Sequence, residues 1–152
     1  MNEISFRPAI NSDLPGIVAM LADDELGLER EDTSIPLNSI YVGAFEAIEK
    51  DPNQVLVAVE ENGALVGCLQ LTFVPGLSRL GIWRGQIESV RIDSGSRGKG
   101  LGRKMIEWAI AECRKRGCGL VQLTSDKSRK EALQFYESLG FSATHEGLKL
   151  NL

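Results

Sequence analysis

The stretch GQIESVRIDSGSRGKGLGRKMIEWAIAEC, Gly85 to Cys113, decides the architecture. Its first third, with Ile87, Val90 and Ile92, reads as a strand, whose side-chain period is two. In its last third Leu101, Met105, Ala109 and Cys113 recur every four residues. Ile106 and Ile110 widen that stripe into the buried face of an amphipathic helix. Between them Gly98, Gly100 and Gly102 obey neither period. Glycines without a Cβ admit positive φ angles and let backbone N–H groups converge, and a helix that starts there aims further N–H groups at the same point. The cations Arg97, Lys99, Arg103 and Lys104 crowd the same place, where a helix carries about half a positive charge. Each should cost a few tenths of a kcal/mol unless an anion offsets it. The alternative is a solvated basic surface with Glu107 relieving Arg103 at i,i+4.

Working outward, ISFRPA (Ile4–Ala9) reads as a first strand. Asn11 and Asp13 can cap a helix through LPGIVAMLADDE, with Pro15 tolerated in its first turn. Periodicity is lost from Leu26 to Pro36 and returns in a helix from about Asn38 to Lys50. Two β-branched runs, Gln54–Glu60 and Ala64–Val74, flank Asn62-Gly63, the pair favoured in a two-residue type I′ hairpin turn. GQIESVRID is then the fourth strand and LVQLTS a fifth. A helix from Arg129 to Leu139 follows, and FSATHEGLKLNL closes the chain as a sixth strand. The order predicts an α/β fold, one mixed sheet with helices on its faces, and a single domain over residues 1–152.

The glycine segment can be tested against known phosphate loops. Gly95 and Gly100 have Walker A spacing, but Leu101-Gly102 follow where Lys-Ser/Thr is needed. Gly98 and Gly100 begin a dinucleotide fingerprint, but Arg103 stands at its third glycine. The pattern [RQ]-x-x-G-x-[GA] is filled by Arg97, Gly100 and Gly102, and ALQFYESLGF follows some way on, with Ala132, Phe135, Tyr136, Gly140 and Phe141. In these motifs, and in the order of elements along nearly the whole chain, the sequence resembles the GNAT superfamily of acyl-CoA-dependent N-acyltransferases. The resemblance implies a central, mostly antiparallel sheet of six to seven strands with about four helices. It implies acetyl-CoA as acyl donor, its pyrophosphate on Arg97, Gly98, Lys99, Gly100, Leu101, Gly102 and Arg103, and its pantetheine arm on the backbone of Val90, Arg91 and Ile92. Relatives often form homodimers.

Aminolysis of a thioester needs a neutral amine, a polarised carbonyl and a proton for the departing thiolate. Strict alternation puts Gln86, Glu88, Val90 and Ile92 on one face of the fourth strand and Ile87, Ser89 and Arg91 on the other. Glu88 would then sit among apolar neighbours, where a carboxylate needs a raised pKa or a partner. It is a candidate base, or one half of a structural ion pair with Arg84 or another arginine. Tyr136 lies in an apolar helix stripe. Its phenol suits protonation of a thiolate, the role the resemblance implies, and core packing is the other reading. Where the family often has Asn, seven residues before the tyrosine, this chain has Arg129, which can contact a phosphate or the substrate instead. For the acceptor, ADDELGLERED (Ala22–Asp32) would make an acidic wall suited to cationic amines, or else a solvated loop. Trp83 and Arg84 can line the same site or simply pack.

A net charge of −4 and a pI near 5.1 argue against a nucleic-acid binder. No apolar run approaches the roughly 20 residues of a membrane span. MNEISFRPAI lacks the pattern of a signal peptide, so a cytoplasmic location is expected. Cys68, Cys113 and Cys118 read as reduced thiols. With His145 as the single histidine, they predict no zinc site. The functional expectation is an N-acetyltransferase acting on a primary amine of a small molecule, without metal. A binding module that senses acyl-CoA without turnover is the alternative.

Overall fold

The computed structural model describes residues 2–152, which divide into two compact units, the first ending at Gln122 and the second spanning Leu123–Leu152. In the first, five strands form one mixed sheet in the order β1-β2-β3-β4-β5: Ile4–Pro8, Gln54–Glu61, Ala64–Pro75, Trp83–Ile92 and Leu120–Gln122. The first four pair antiparallel, and β5 joins β4 in parallel. The helices of this unit are α1 (Leu14–Ala22), α2 (Glu25–Arg30), α3 (Ser39–Lys50), the single turn α4 (Ser78–Gly81) and α5 (Leu101–Lys115). The second unit contains α6 (Lys130–Ser138).

Local chemistry accounts for most of these boundaries. Asn62 and Gly63 both take positive φ, +52° and +82°, as a type I′ turn requires, and they join β2 to β3. The helix α5 ends in a Schellman motif. Gly117 at φ +81° lets its own N–H reach the Arg114 carbonyl at 3.0 Å and the Cys118 N–H reach that of Cys113 at 2.9 Å. Asp13 does not cap α1. Its carboxylate instead accepts from the Ile10 N–H and from both terminal nitrogens of Arg7, which also reaches Glu60. That network ties β1 and β2 to the chain entering α1.

Both sheet faces are covered. Val57, Leu69, Leu71 and Ile87 line one, under Met105, Ile106, Ala109 and Cys113 of α5; all are almost fully buried. Each large apolar side chain so buried is worth about 1.5–3 kcal/mol. Gly67 and Gly85 bring the sheet close to α5: a Cβ on Gly85 would lie 2.2 Å from the Cys113 Sγ. Trp108 stacks on Phe6 at 4.9 Å between centroids. On the other face Ala58 and Cys68 pack with Leu14, Ile17, Met20 and Phe45 from α1 and α3.

The structure corrects four expectations. Among the described residues the sheet has five strands, not six or seven, and there are six helices rather than four. The additional helices are α4 and α2. The latter lies where no periodicity is visible, because it is six residues long and is held by its cap: the Asp24 carboxylate accepts the Gly27 N–H. Among the described residues FSATHEGLKLNL joins no sheet. It alternates as a strand should, yet Leu148 and Leu150 are exposed, and alternation without a partner strand makes no ladder. Finally, β5 stops at Gln122, three residues before the end of LVQLTS.

Candidate active site

The fourth strand is not regular. Cys68 faces Arg91 and Gln70 faces Glu88, so Ser89 and Val90 together oppose Leu69 alone. This is a β-bulge, and Ser89 adopts φ +55° within it. The carbonyl it displaces accepts from the Cys68 thiol at 3.6 Å. The bulge inserts one residue into the two-residue period, so it overturns the expected faces. Glu88 and Arg91 now share a side with Gln70 and Cys68. Glu88 is also exposed rather than embedded among apolar side chains, and among the described residues no cation pairs with it. The structural ion pair with Arg84 is therefore absent.

Along the other edge of β4, the parallel ladder with β5 covers only Arg84–Gln86 against Leu120–Gln122. From Ile87 to Ile92 that edge has no neighbouring strand among those described, which leaves the backbone of Val90, Arg91 and Ile92 without a ladder on that side. The Arg91 side chain turns inward. It donates to the Val90 carbonyl at 2.9 Å and lies 3.5 Å from Asp24, while its buried Nε has no hydrogen-bond partner among the described residues.

Beyond Ile92 comes a short 3₁₀ turn, Ser94–Ser96, capped by Asp93, and then the glycine loop. Gly98 and Gly100 have φ of +76° and +78°, and a Cβ on either would meet nothing within 4 Å. Gly100 occupies the N-cap position of α5, where it supplies no side-chain oxygen. The opening N–H groups of the helix, on Leu101, Gly102 and Arg103, have no acceptor among the described residues. Together these features form an electropositive rim of backbone donors, the chemistry that a phosphate group requires.

The cations around the rim divide into two sets. Arg97 bends back, donating to the Ile92 carbonyl at 3.1 Å and pairing with Asp23 at 3.2 Å, so it braces the loop against the end of α1. Arg103 pairs with Glu107 at 3.3 Å, as the solvated-surface reading anticipated. Lys99 and Lys104 are exposed and make no ion pair among the described residues. An open groove of about 490 Å³ lies alongside, lined by Gly16, Ala19, Met20, Leu65 and the acids Asp23 and Asp93.

The acidic stretch is largely committed to structure. Asp23 holds Arg97, Asp24 caps α2 and faces Arg91, Glu31 accepts from the Tyr41 hydroxyl, and Asp32 binds Ser34 and Asn38. Glu25 and Glu29 remain exposed. Trp83 and Arg84 belong to β4 itself rather than to a loop before it.

Tyr136 and Arg129 belong to the second unit. Tyr136 is half-buried in α6, edge-on to Phe135 at 5.2 Å and to Phe141 at 5.8 Å between centroids. Gly140 at φ +96° turns the chain after the helix. Arg129 occupies the N-cap position of α6, and Asp126 shapes the turn before it by accepting from the Ser128 N–H and hydroxyl.

All three cysteines are free thiols. Burial pushes Cys68 up to about 12 and Cys113 up to about 11, so neither has the character of a nucleophile. Among the described residues no group of three His, Cys, Asp or Glu side chains is placed to hold a metal. No helix among them is long and apolar enough to cross a membrane.

Two features escaped sequence reasoning. The bulge has no glycine to announce it, and the thiol of Cys68 acts as the donor that quenches the displaced carbonyl.

A mixed sheet with a bulged fourth strand, a β4 edge left open beyond Gln86 and a glycine rim at the head of a helix defines a class, and comparison with known proteins gives it a family. Residues 21–141 match the acetyltransferase (GNAT) family, and the chain belongs to it. It is 37% identical over 93 residues to glucosamine 6-phosphate N-acetyltransferase of Trypanosoma brucei brucei, covering 61% of each chain. It is 30% identical over 101 residues to aminoalkylphosphonate N-acetyltransferase of Salmonella typhimurium, covering 66% of this chain and 65% of that one. Both alignments span less than two thirds of the relative's own length. A crystal structure of a protein from Bacillus halodurans, described as a transcriptional regulator, is 48% identical with a TM-score of 0.95, covering 99% of this chain and 100% of that one.

Proposed function

We propose that the protein is an N-acetyltransferase that moves an acetyl group from acetyl-CoA to a primary amine of a small molecule in a ternary complex. One observation carries the reading: the edge of β4 left open beyond Gln86 leads to a rim of N–H groups on Leu101, Gly102 and Arg103 that have no acceptor among the described residues. A linear ligand with an amide-bearing arm and a phosphate end fits that arrangement. The rim, with Gly98, Lys99 and Arg129 as further partners, binds the pyrophosphate. The backbone of Val90, Arg91 and Ile92 orients the arm and the thioester carbonyl. Glu88, exposed on β4, takes the proton of the incoming ammonium directly or through water. The nitrogen then bonds to the acetyl carbon, the carbon–sulfur bond breaks, Tyr136 delivers a proton to the departing thiolate, and the surplus proton of the acylated nitrogen passes to solvent, from which the phenol is restored.

Residues 1–152 act as one acyltransferase domain, cytoplasmic and without a metal, and the homodimer common among relatives is open to test by sedimentation. The relatives named for phosphorylated and phosphonylated amines favour a small acceptor, which would enter as its ammonium cation.

The test is thiol release from acetyl-CoA over a panel of amines. Glu88→Gln and Tyr136→Phe should each lower kcat/KM by roughly 10²–10⁴. A loss under about twofold in both refutes the assigned roles. The second reading, an acyl-CoA sensor without turnover, is favoured by the similar protein described as a transcriptional regulator. Tight CoA binding with no thiol release from any amine would select it.

A further inference from the structure

The sheet face that carries Glu88 is apolar where α1 and α3 cover it and polar beyond them. Register places Gln54, Thr72, Gln86 and Gln122 in one row across four strands, and sets Gln70 directly beside Glu88 in the next. These side chains hold one another. The Gln54 Oε1 accepts from the Gln70 Nε2 at 3.1 Å and from the Thr72 hydroxyl at 2.9 Å, and the Gln86 Oε1 accepts from the Gln122 Nε2 at 3.1 Å. All five are half-buried.

Packing alone does not call for such a surface. A sheet face that needs only to be covered is built from β-branched and aromatic residues, and four glutamines forgo that gain. The bonds within the row fix the amides in place without exhausting them. Each amide has two donors and two lone pairs, and among the described residues the Nε2 groups of Gln54 and Gln86 have no acceptor. The surface is therefore a prearranged floor of donors and acceptors without net charge, and one carboxylate stands beside it. A hydroxyl group both donates and accepts, so it matches such a floor. A hydrocarbon would strip water from the amides and return no hydrogen bond. An acceptor recognised by positive charge alone would need carboxylates, and Glu88, in the adjacent row, is the one that these two rows offer.

We propose that the acceptor is a hydroxyl-bearing amine of the amino-polyol class, with its nitrogen at Glu88 and its hydroxyls on the amides of Gln54, Gln70 and Gln86. The inference rests on the acetyl-transfer reading.

The experiment measures kcat/KM, expressed per neutral amine, for size-matched pairs: 2-amino-1,3-propanediol against isopropylamine, and glucosamine against cyclohexylamine. The hydroxylated member of each pair should be preferred by at least about tenfold. Gln70→Met and Gln86→Met, close in shape to the native residues, should each cut that preference about fivefold or more, with thermal melts reporting their folding. If one variant fails to fold, the other and the wild-type preference still decide. Turnover of all four amines without preference for hydroxyls, or a preference that survives in a folded variant, overturns this inference and leaves acetyl transfer standing. Silence with every amine overturns both.

Discussion

Consider Gly100→Ala set beside Gly117→Ala. Both glycines are left-handed, at φ +78° and +81°, and at both an added Cβ would meet nothing within 4 Å. The direct cost is therefore conformational and nearly equal. An L-residue in this region costs about 1–2 kcal/mol, less the roughly 0.4–1 kcal/mol gained by restricting the unfolded chain. The net is about 1 kcal/mol at each site, a fall of roughly 2–4 °C in Tm for a chain of this size. The two sites differ in what they face. Gly117 ends α5, whereas Gly100 begins it, on the rim where the phosphate reading seats its anion. A methyl at Gly100 would fill the space that a phosphate oxygen needs. CoA affinity by calorimetry should fall at least tenfold, about 1.4 kcal/mol, in Gly100→Ala and stay within twofold in Gly117→Ala. Equal melting shifts with unchanged CoA affinity in both variants would refute the anion seat, because they would leave the glycines a purely conformational role.

Three further outcomes follow from other parts of the structure. A Cβ on Gly85 would strike the Cys113 sulfur, so Gly85→Ala should destabilise by about 1–3 kcal/mol and Cys113→Ala should rescue most of that loss; strict additivity in urea titrations would contradict the contact. The Arg7 guanidinium holds the Asp13 carboxyl below the usual range, so its stabilising effect is complete above about pH 4 and is lost as pH falls through the depressed value. Asp13→Asn should therefore cost about 2 kcal/mol near neutrality and nothing once the wild-type carboxyl is protonated, and a gap that persists in strong acid would count against the pairing. Finally, a disulfide reagent near pH 8 should leave Cys68 and Cys113 unmodified in the native protein, since burial raises both thiols, and all three cysteines should react in denaturant.

The sequence showed its architecture wherever a period ran long enough to be read. The four-residue stripe of α5, the Asn62-Gly63 turn and the β-branched runs beside it all appear where their chemistry puts them. Three features were not legible. The six residues of α2 are too few to show a stripe, and its anchor is one side-chain cap. The closing segment has the alternation of a strand, but alternation describes a segment and not its partner. At Ser89 a β-branch-free polar residue takes a left-handed angle that composition does not announce, and from there strict alternation assigns the wrong face. The glycine rim was legible because only backbone geometry explains that clustering. The environment of Glu88 was not, because it depends on which residues stand opposite in β3.

The bulge at Ser89 acts as a parity switch in the strand. Before it, even-numbered side chains lie on the side of the sheet that carries Ala58 and Cys68; after it, odd-numbered ones do, beginning with Arg91. Straightening the strand here without removing a residue would reverse every side chain from Arg91 onward. Arg91 would leave Asp24, and the residues leading into the glycine loop would enter it from the opposite side. Deleting one residue of the bulge would instead leave Arg91 opposite Cys68, so an aligned chain that lacks this insertion keeps the same faces along β4, whereas one that keeps the residue in a regular strand does not.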